Sequence, residues 1–353
     1  MCCDEVMPRK SQVPPRLLVI ARAQGGLVST RQCDAHGVTD RRRATLVRSG
    51  TWDRLTTGVY DTHEARPDLH DFDLGRWKAV WLALCAYPTS AAVGGCALMM
   101  HGVTGLPRTI TPEVAVPRGS ARRPRGGMVV RQIDMRGKTV RIRGRHVAKP
   151  VVALAQALVT LDRCSWVKCA DNMLNRKLLT RADLDAVREL SRRQPEFPDR
   201  RQWFEPVDGR SESPLESDGR LQCHDAGIAP DDLQREFVDE RGRVWARADM
   251  AWYLGDGRWL LVEIDGNEYH SSDEQLVRDA TRQNALVRDG QHIMLRFRSA
   301  HLSQRGYVPG EIAAVLRREG WRPGRPLPSG AQQARRPTTS PASHHKQPIP
   351  GTP

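Results

Sequence analysis

The chain has 353 residues, of which 39% are hydrophobic and 5% aromatic, and its formal net charge is +14. At roughly 150 residues per domain, this length predicts two or three domains. The most apolar stretches, 79–86 and 91–100, are shorter than the ~20 residues of a membrane-spanning helix, and the N-terminus lacks the apolar core of a signal peptide. Eight cysteines without C-x-x-C or zinc-site spacing indicate reduced thiols. We therefore expect a cytoplasmic protein with no membrane partner.

The positive charge is concentrated in two segments of the chain. Residues 118–149 contain eleven Lys/Arg and one acid, and residues 322–353 contain five Lys/Arg, eight prolines and no acid. Residues 210–321 contain fifteen Arg and twenty Asp/Glu. This asymmetry predicts a basic part that binds a polyanion and an acidic part that holds something cationic, with an ordinary solvated surface as the alternative. We expect 322–353 to be a disordered tail.

The sequence pattern of residues 15–66 predicts one small folded unit. Apolar residues at helical spacing indicate a first helix, Ser29 can cap a second helix, and Thr39 can cap a third helix over 40–48. Residues 52–60 alternate as a short hairpin. Helix, helix, tight turn, helix and hairpin is the order of a winged helix-turn-helix, an α+β unit that binds DNA.

The third predicted helix has two chemically different faces. Arg41, Thr45 and Arg48 share one stripe, whereas Leu46 and Val47 face the core. Guanidinium and hydroxyl groups on an outer face suit phosphates and base edges, although an ordinary basic surface helix has the same pattern. The candidate DNA-binding residues of this helix are Arg41, Arg42, Thr45 and Arg48.

A family resemblance points the same way. The string GGLVSTRQCDAHGVTDRRRATLVRSGTWDRLTTGVYDT resembles the N-terminal winged-helix domain of AbiEi-type antitoxins and related regulators. The resemblance covers about 45 residues and implies a DNA-binding module.

The middle of the chain predicts an α/β region without catalytic motifs. Apolar helical patterns and short alternating strands follow one another, and the strands carry the basic cluster. The predicted division of the chain is an N-terminal extension over 1–14, the winged helix over 15–66, the α/β region with the basic cluster over 67–193, a linker over 194–209, an acidic domain over 210–321 and the tail over 322–353.

The sequence of the acidic domain predicts secondary-structure elements in the order helix, strand, strand, helix, strand. Ser213 caps the first helix, and Gly255-Asp256-Gly257 is a hairpin turn between the two strands. If the loop has three residues centred on Asp256, Asp249 lies opposite Glu263, and Asp265 points to the same face as Glu263. Opposed carboxylates repel unless a divalent cation lies between them. Solvent-facing acids on an edge hairpin are the alternative, and a two-residue loop would shift the register.

This domain also resembles a known family. The strings RADMAW, LLVEIDGNEYH, RDATRQNALVRDG and MLRFR resemble an uncharacterised family related to very-short-patch-repair endonucleases, within the PD-(D/E)xK restriction-endonuclease-like superfamily. The resemblance covers about 110 residues. It implies an α/β core of order αβββαβ that hydrolyses phosphodiesters with Mg²⁺ or Mn²⁺. By position, Asp249 matches the metal-binding aspartate, Glu263 the first residue of the E-x-K element, and Glu216 the first-helix glutamate.

One departure concerns the lysine of that element. Asp265 takes its place, and no lysine occurs between Lys177 and Lys346. His270 is the candidate general base, as in relatives that use histidine, and Arg282 could face a phosphate. Simpler roles remain open: Glu216 could belong to the helix cap, His270 could close the strand end, and Arg282 could pair with Asp279 along its helix.

Two functional hypotheses follow, and both involve DNA. In the first, the protein binds DNA and cleaves it with a metal-dependent endonuclease domain whose catalytic residues are Glu216, Glu263, Asp265 and His270. In the second, it is an antitoxin-like transcriptional regulator whose nuclease fold is inactive. A fold alone does not decide between these hypotheses, and a homodimer is compatible with both.

Overall fold

The computed structural model describes residues 13–64, 70–120, 123–238, 242–266 and 292–327, apart from the side chain of Trp245. The chain forms two compact units, and the boundary between them in the sequence falls between Gly227 and Ile228. Leu302–Arg305 belong to the first unit. The structure is a mixture of helices and small sheets. None of the helices in the described ranges is both long and apolar enough to span a bilayer.

The N-terminal part of the first unit forms the predicted helices and hairpin and one further strand. Ser29 accepts a hydrogen bond from the Gln32 amide in a reciprocal capping box, and Thr39 caps the next helix, so both predicted helix starts are confirmed. The three strands form an antiparallel sheet of order β1-β3-β2. The elements are α1 (Pro15–Ala23), β1 (Leu27–Ser29), α2 (Thr30–Ala35), α3 (Asp40–Arg48), β2 (Asp53–Thr56) and β3 (Val59–Asp61).

The rest of the first unit surrounds a five-stranded mixed sheet of order β6-β5-β4-β8-β7. Its helices cover a large apolar core that includes Leu27 and Val59 of the N-terminal sheet. The predicted boundary after residue 66 therefore falls inside one unit. The elements are α4 (Asp71–Ala86), β4 (Ala91–Ala92), α5 (Gly94–Met100), β5 (Glu113–Val116), β6 (Val129–Gln132), β7 (Thr139–Ile142), β8 (Arg145–Ala148), α6 (Pro150–Ala157), α7 (Arg163–Asn175), α8 (Arg181–Ser191), α9 (Phe197–Arg200) and α10 (Pro214–Asp225).

The segment predicted as a linker, 194–209, is instead a folded part of this core. It contains α9 and a 3-10 turn, and Trp203 and Phe204 are buried. The Phe204 ring lies 4.6 Å from the Trp166 ring on α7. Prolines and charges gave the segment the composition of a linker, but two aromatic side chains supply enough apolar surface to hold it on the core.

The second unit contains a four-stranded sheet of order β12-β11-β10-β9, in which β9, β10 and β11 are antiparallel and β12 is parallel to β11. The helix predicted over 271–288 lies outside the described residues and α10 groups with the first unit, so an αβββαβ core stays a prediction. The elements are β9 (Asp232–Val238), β10 (Val244–Gly255), β11 (Arg258–Asp265), β12 (His292–Arg298), α11 (Ser299–Leu302) and α12 (Tyr307–Arg318).

The role of the former linker can be tested by truncating one aromatic side chain. Phe204→Ala should lower the free energy of unfolding by about 3–5 kcal/mol, because it removes a buried ring and leaves a cavity. Phe72→Ala is the matched control, since the Phe72 ring is 39% exposed, and it should cost less than about 1 kcal/mol. Chemical denaturation measures both effects. Equal, small losses would mean that 194–209 does not hold the core.

Candidate functional site

The exposed face of α3 carries the side chains that the sequence predicts. Arg41, Thr45 and Arg48 are exposed, whereas Leu46 is buried and Val47 packs against the N-terminal core. The Thr45 hydroxyl donates to the Arg41 carbonyl at 3.0 Å. Three side chains with hydrogen-bonding capacity therefore form one stripe along one side of the helix.

A buried arginine on the opposite face of α3 was missed by the sequence analysis. Arg43 is 4% exposed, and its guanidinium donates to the Asp34 carboxylate on α2, to the Val38 carbonyl at 2.6 Å and to Asp40 at 3.5 Å. The signal was present, since Arg43 precedes Leu46 by three residues and shares its face. Because a buried charge is costly without partners, these contacts fix α3 against α2 and the turn between them.

Arg42 occupies an intermediate position on the helix. Its side chain is half-buried, and its backbone amide donates to the Thr39 hydroxyl at 3.4 Å, within the helix cap. Of the four predicted DNA-contacting residues on α3, Arg42 is thus the one outside the exposed stripe.

Strands β10 and β11 form a hairpin that carries Asp249, Glu263 and Asp265, and we call it the acidic hairpin. It has the predicted register, although its turn is one residue shorter than predicted. Its turn consists of two residues, Asp256 and Gly257, with φ angles of 50° and 76°, as in the type I′ turns that favour Asp-Gly. A two-residue turn alone would shift the pairing by one residue. A β-bulge between Tyr253 and Gly255 adds that residue back, so that Met250 faces Val262 as a three-residue loop would require.

Asp249 and Glu263 lie one position beyond the Met250–Val262 pair, on the same face of adjacent strands. An Asp249 carboxylate oxygen accepts from the Ile264 amide at 2.7 Å. Asp249 is thus bonded directly to the strand that carries Glu263. The structure brings these two residues together as predicted, and Asp265 follows on the same face.

Arg296, on β12, supplies a positive charge that the sequence analysis did not anticipate. It is the in-register neighbour of Glu263, and its Nε and Nη2 atoms lie 2.9 and 2.7 Å from one Glu263 carboxylate oxygen. Its Nε is also 3.6 Å from an Asp265 oxygen. The Glu263 side chain is 8% exposed and the Arg296 side chain 29% exposed, so the carboxylate end of the ion pair is shielded from water.

The contacts of Asp249 and Glu263 decide whether their carboxylates could bind a divalent metal ion. Carboxylate oxygens are the ligands that Mg²⁺ and Mn²⁺ prefer, and Asp249 and Glu263 share one face of adjacent strands. Within the described ranges, however, His, Cys, Asp and Glu side chains form no group of three that could hold a metal. Arg296 already places a positive charge beside Glu263 and Asp265. A metal ion would therefore have to compete with this guanidinium.

The remaining predicted site residues lie outside the hairpin of β10 and β11 in the chain. Glu216, 9% exposed, accepts from the Glu212 amide at 2.8 Å, while Ser213 accepts from the Glu216 amide at 3.2 Å. Glu216 thus helps to begin α10, in the first unit, whereas the hairpin acids are in the second. His270 and Arg282 lie outside the described residues.

Comparison with known proteins gives relatives but no function. No family model matches the chain. It is 28% identical over 236 residues to Uncharacterized protein MT2308 and to Uncharacterized protein Rv2248, from two strains of Mycobacterium tuberculosis. The alignment covers 67% of this chain and 82% of each relative.

Removing Arg296 tests whether it is the counter-ion of the acidic hairpin. Arg296→Gln should lower the free energy of unfolding in metal-free buffer by about 1.5–3 kcal/mol, because it removes the guanidinium that lies 2.7 Å from the shielded Glu263 carboxylate. Millimolar Mg²⁺ should raise the unfolding midpoint of this variant more than that of the wild type, because the cation can take the place of the missing guanidinium. Arg317→Gln, at an exposed position on α12 of the same unit, is the control. Unchanged unfolding midpoints, or an equal response to Mg²⁺, would contradict the assignment.

Proposed function

We propose that the protein binds duplex DNA through α3, as the second helix of a winged helix-turn-helix. The observation that carries this proposal is the exposed stripe of Arg41, Thr45 and Arg48 on a capped helix whose other face is anchored by Arg43. An anchored helix loses little backbone conformational entropy when its side chains bind.

The dimensions and chemistry of α3 suit a major groove. Its nine residues span about 14 Å, and a major groove about 12 Å wide admits a helix. Arg41 and Arg48 lie two turns apart, so they can contact phosphates or guanine edges at separate positions, with Thr45 between them. The hairpin β2–β3 follows α3 directly in the chain, as a wing does.

DNA binding through α3 can be tested by removing two charges from the stripe. Arg41→Ala/Arg48→Ala should weaken binding to duplex DNA and reduce the slope of log K against log salt by about two units, one per lost phosphate contact. The control Arg192→Ala/Arg193→Ala removes two exposed charges at the end of α8 and should change the slope by less than about half a unit. Fluorescence anisotropy over a salt series gives both slopes. Equal slopes for the wild type and the α3 variant would refute the proposal.

Metal-dependent phosphodiester hydrolysis is a second candidate function, and the alignment of Asp249 with Glu263 favours it. These two side chains would hold Mg²⁺ or Mn²⁺, which when bound would activate water and stabilise developing charge. Asp265 takes the place of the superfamily's lysine, and Arg296 supplies the nearby positive charge. His270 remains the sequence-based choice for the general base. The same Arg296 ion pair also favours the alternative of a regulator whose nuclease-like domain does not cleave.

Hydrolysis can be tested on supercoiled plasmid with added Mg²⁺ or Mn²⁺. If the hairpin is catalytic, the wild type nicks the plasmid and Asp249→Asn loses nicking, because a metal ligand has been neutralised. Asp256→Asn is the control, since Asp256 lies in the turn with φ 50°, which asparagine also tolerates, and it should keep full activity. Absence of metal-dependent nicking by the wild type would reject hydrolysis and leave the regulator.

A further inference from the structure

A second basic feature of the first unit lies in the connection between β5 and β6. Residues 123–127 have the sequence Arg-Pro-Arg-Gly-Gly, and all five are exposed. We call these five residues the basic loop. They belong to the segment 118–149, whose only acid, Asp134, is bound by Arg136 in an exposed ion pair. The charge of the basic loop is therefore not offset by a neighbouring carboxylate of its own segment.

The basic loop is anchored at both ends although its side chains are exposed. The Tyr87 hydroxyl donates to the Arg123 carbonyl at 2.6 Å, and the Tyr87 ring is 1% exposed. At the other end the Met128 amide donates to the Arg125 carbonyl at 3.0 Å, and Met128 is buried. The Arg125 guanidinium also lies 5.9 Å from the Tyr87 ring, where a cation–π attraction further restrains it.

The same loop lies beside the β2–β3 hairpin of the N-terminal part. A Cβ atom on Gly126 would come within 3.8 Å of the Thr56 hydroxyl on β2. The α4 helix joins the two parts, since Lys78 pairs with Asp61 at 2.6 Å. Both features belong to the same compact unit, so the basic loop and the hairpin present one continuous surface.

We infer that the basic loop enters the minor groove of the DNA that α3 binds. This inference rests on the proposed function. Arginine is favoured in the narrow minor groove of A·T-rich DNA, where the negative potential is enhanced. Gly126 and Gly127 have φ angles of 53° and 75° and no side chains, so the backbone can come close to the groove. Pro124 restricts the backbone between the two arginines.

The recognition chemistry specifies the preferred DNA. A G·C pair places the guanine amino group on the floor of the minor groove, which an A·T pair leaves open. Arg123 and Arg125 should therefore add affinity for A·T-rich duplex and little for G·C-rich duplex. If the two arginines contacted only phosphates, they would add equally to both.

The experiment compares two duplexes of equal length, alternating dA·dT and alternating dG·dC, with the full chain. Arg123→Ala/Arg125→Ala should weaken binding to the dA·dT duplex about tenfold and to the dG·dC duplex less than about threefold. Arg123→Lys/Arg125→Lys keeps the charge, so it should keep dG·dC affinity and lose the A·T preference, because lysine is more strongly hydrated and lacks the planar guanidinium. The control Arg136→Ala/Arg141→Ala alters exposed cations of the same segment and should keep the preference.

Equal losses on both duplexes, or no loss on either, would overturn the minor-groove assignment. Arg41→Ala/Arg48→Ala, measured alongside, separates this failure from failure of the proposed function. If that variant loses affinity while the basic-loop variants behave as wild type, α3 binds DNA and the basic loop does not. Circular dichroism melts of all variants identify any loss that comes from unfolding, and the lysine variant keeps the inference open to refutation if the alanine variant does not fold.

Discussion

The buried guanidinium of Arg43 determines how α3 can function. Burying a charge in an apolar core costs several kcal/mol unless it is paired and hydrogen-bonded. The Arg43 guanidinium donates hydrogen bonds to the Asp34 carboxylate on α2 and to the Val38 carbonyl in the turn, and these bonds offset that cost. The angle between α2 and α3 is thereby fixed. Arg41 and Arg48 then remain exposed on the opposite face, as the proposed contact with DNA requires.

In the second unit an arginine, Arg296, also pairs with carboxylates, and there the pairing bears on metal binding. Arg296 pairs with Glu263 and approaches Asp265, so a guanidinium occupies the neighbourhood in which a metal-dependent enzyme needs a divalent ion. The hairpin acids are therefore stabilised by the chain itself, and a metal is not required to relieve their repulsion. Under the hydrolysis proposal a metal ion would have to displace Arg296, whereas under the regulator proposal the ion pair would persist.

The sequence was sufficient where a helix cap or strand alternation decided the structure. Thr39 as a cap fixed the start of α3, and the face shared by Asp249 and Glu263 followed from strand alternation, although the bulge that restores their register was not foreseen. Non-local features could not be predicted. The partner of Glu263 depends on the register of β12, which is distant in the chain. β1 is too short to show alternation, and segment 194–209 is held by Trp203 and Phe204 against a core assembled from distant helices.

Hydrogen–deuterium exchange of the full chain with and without duplex DNA tests the central claim most directly. If α3 binds in the groove as proposed, DNA should slow exchange of its backbone amides, because fraying of the helix is suppressed. Amides of α8, in the same unit, should exchange at unchanged rates. Slowed exchange confined to β9–β12, with α3 unaffected, would contradict binding through α3 and place the DNA contact on the sheet of the second unit.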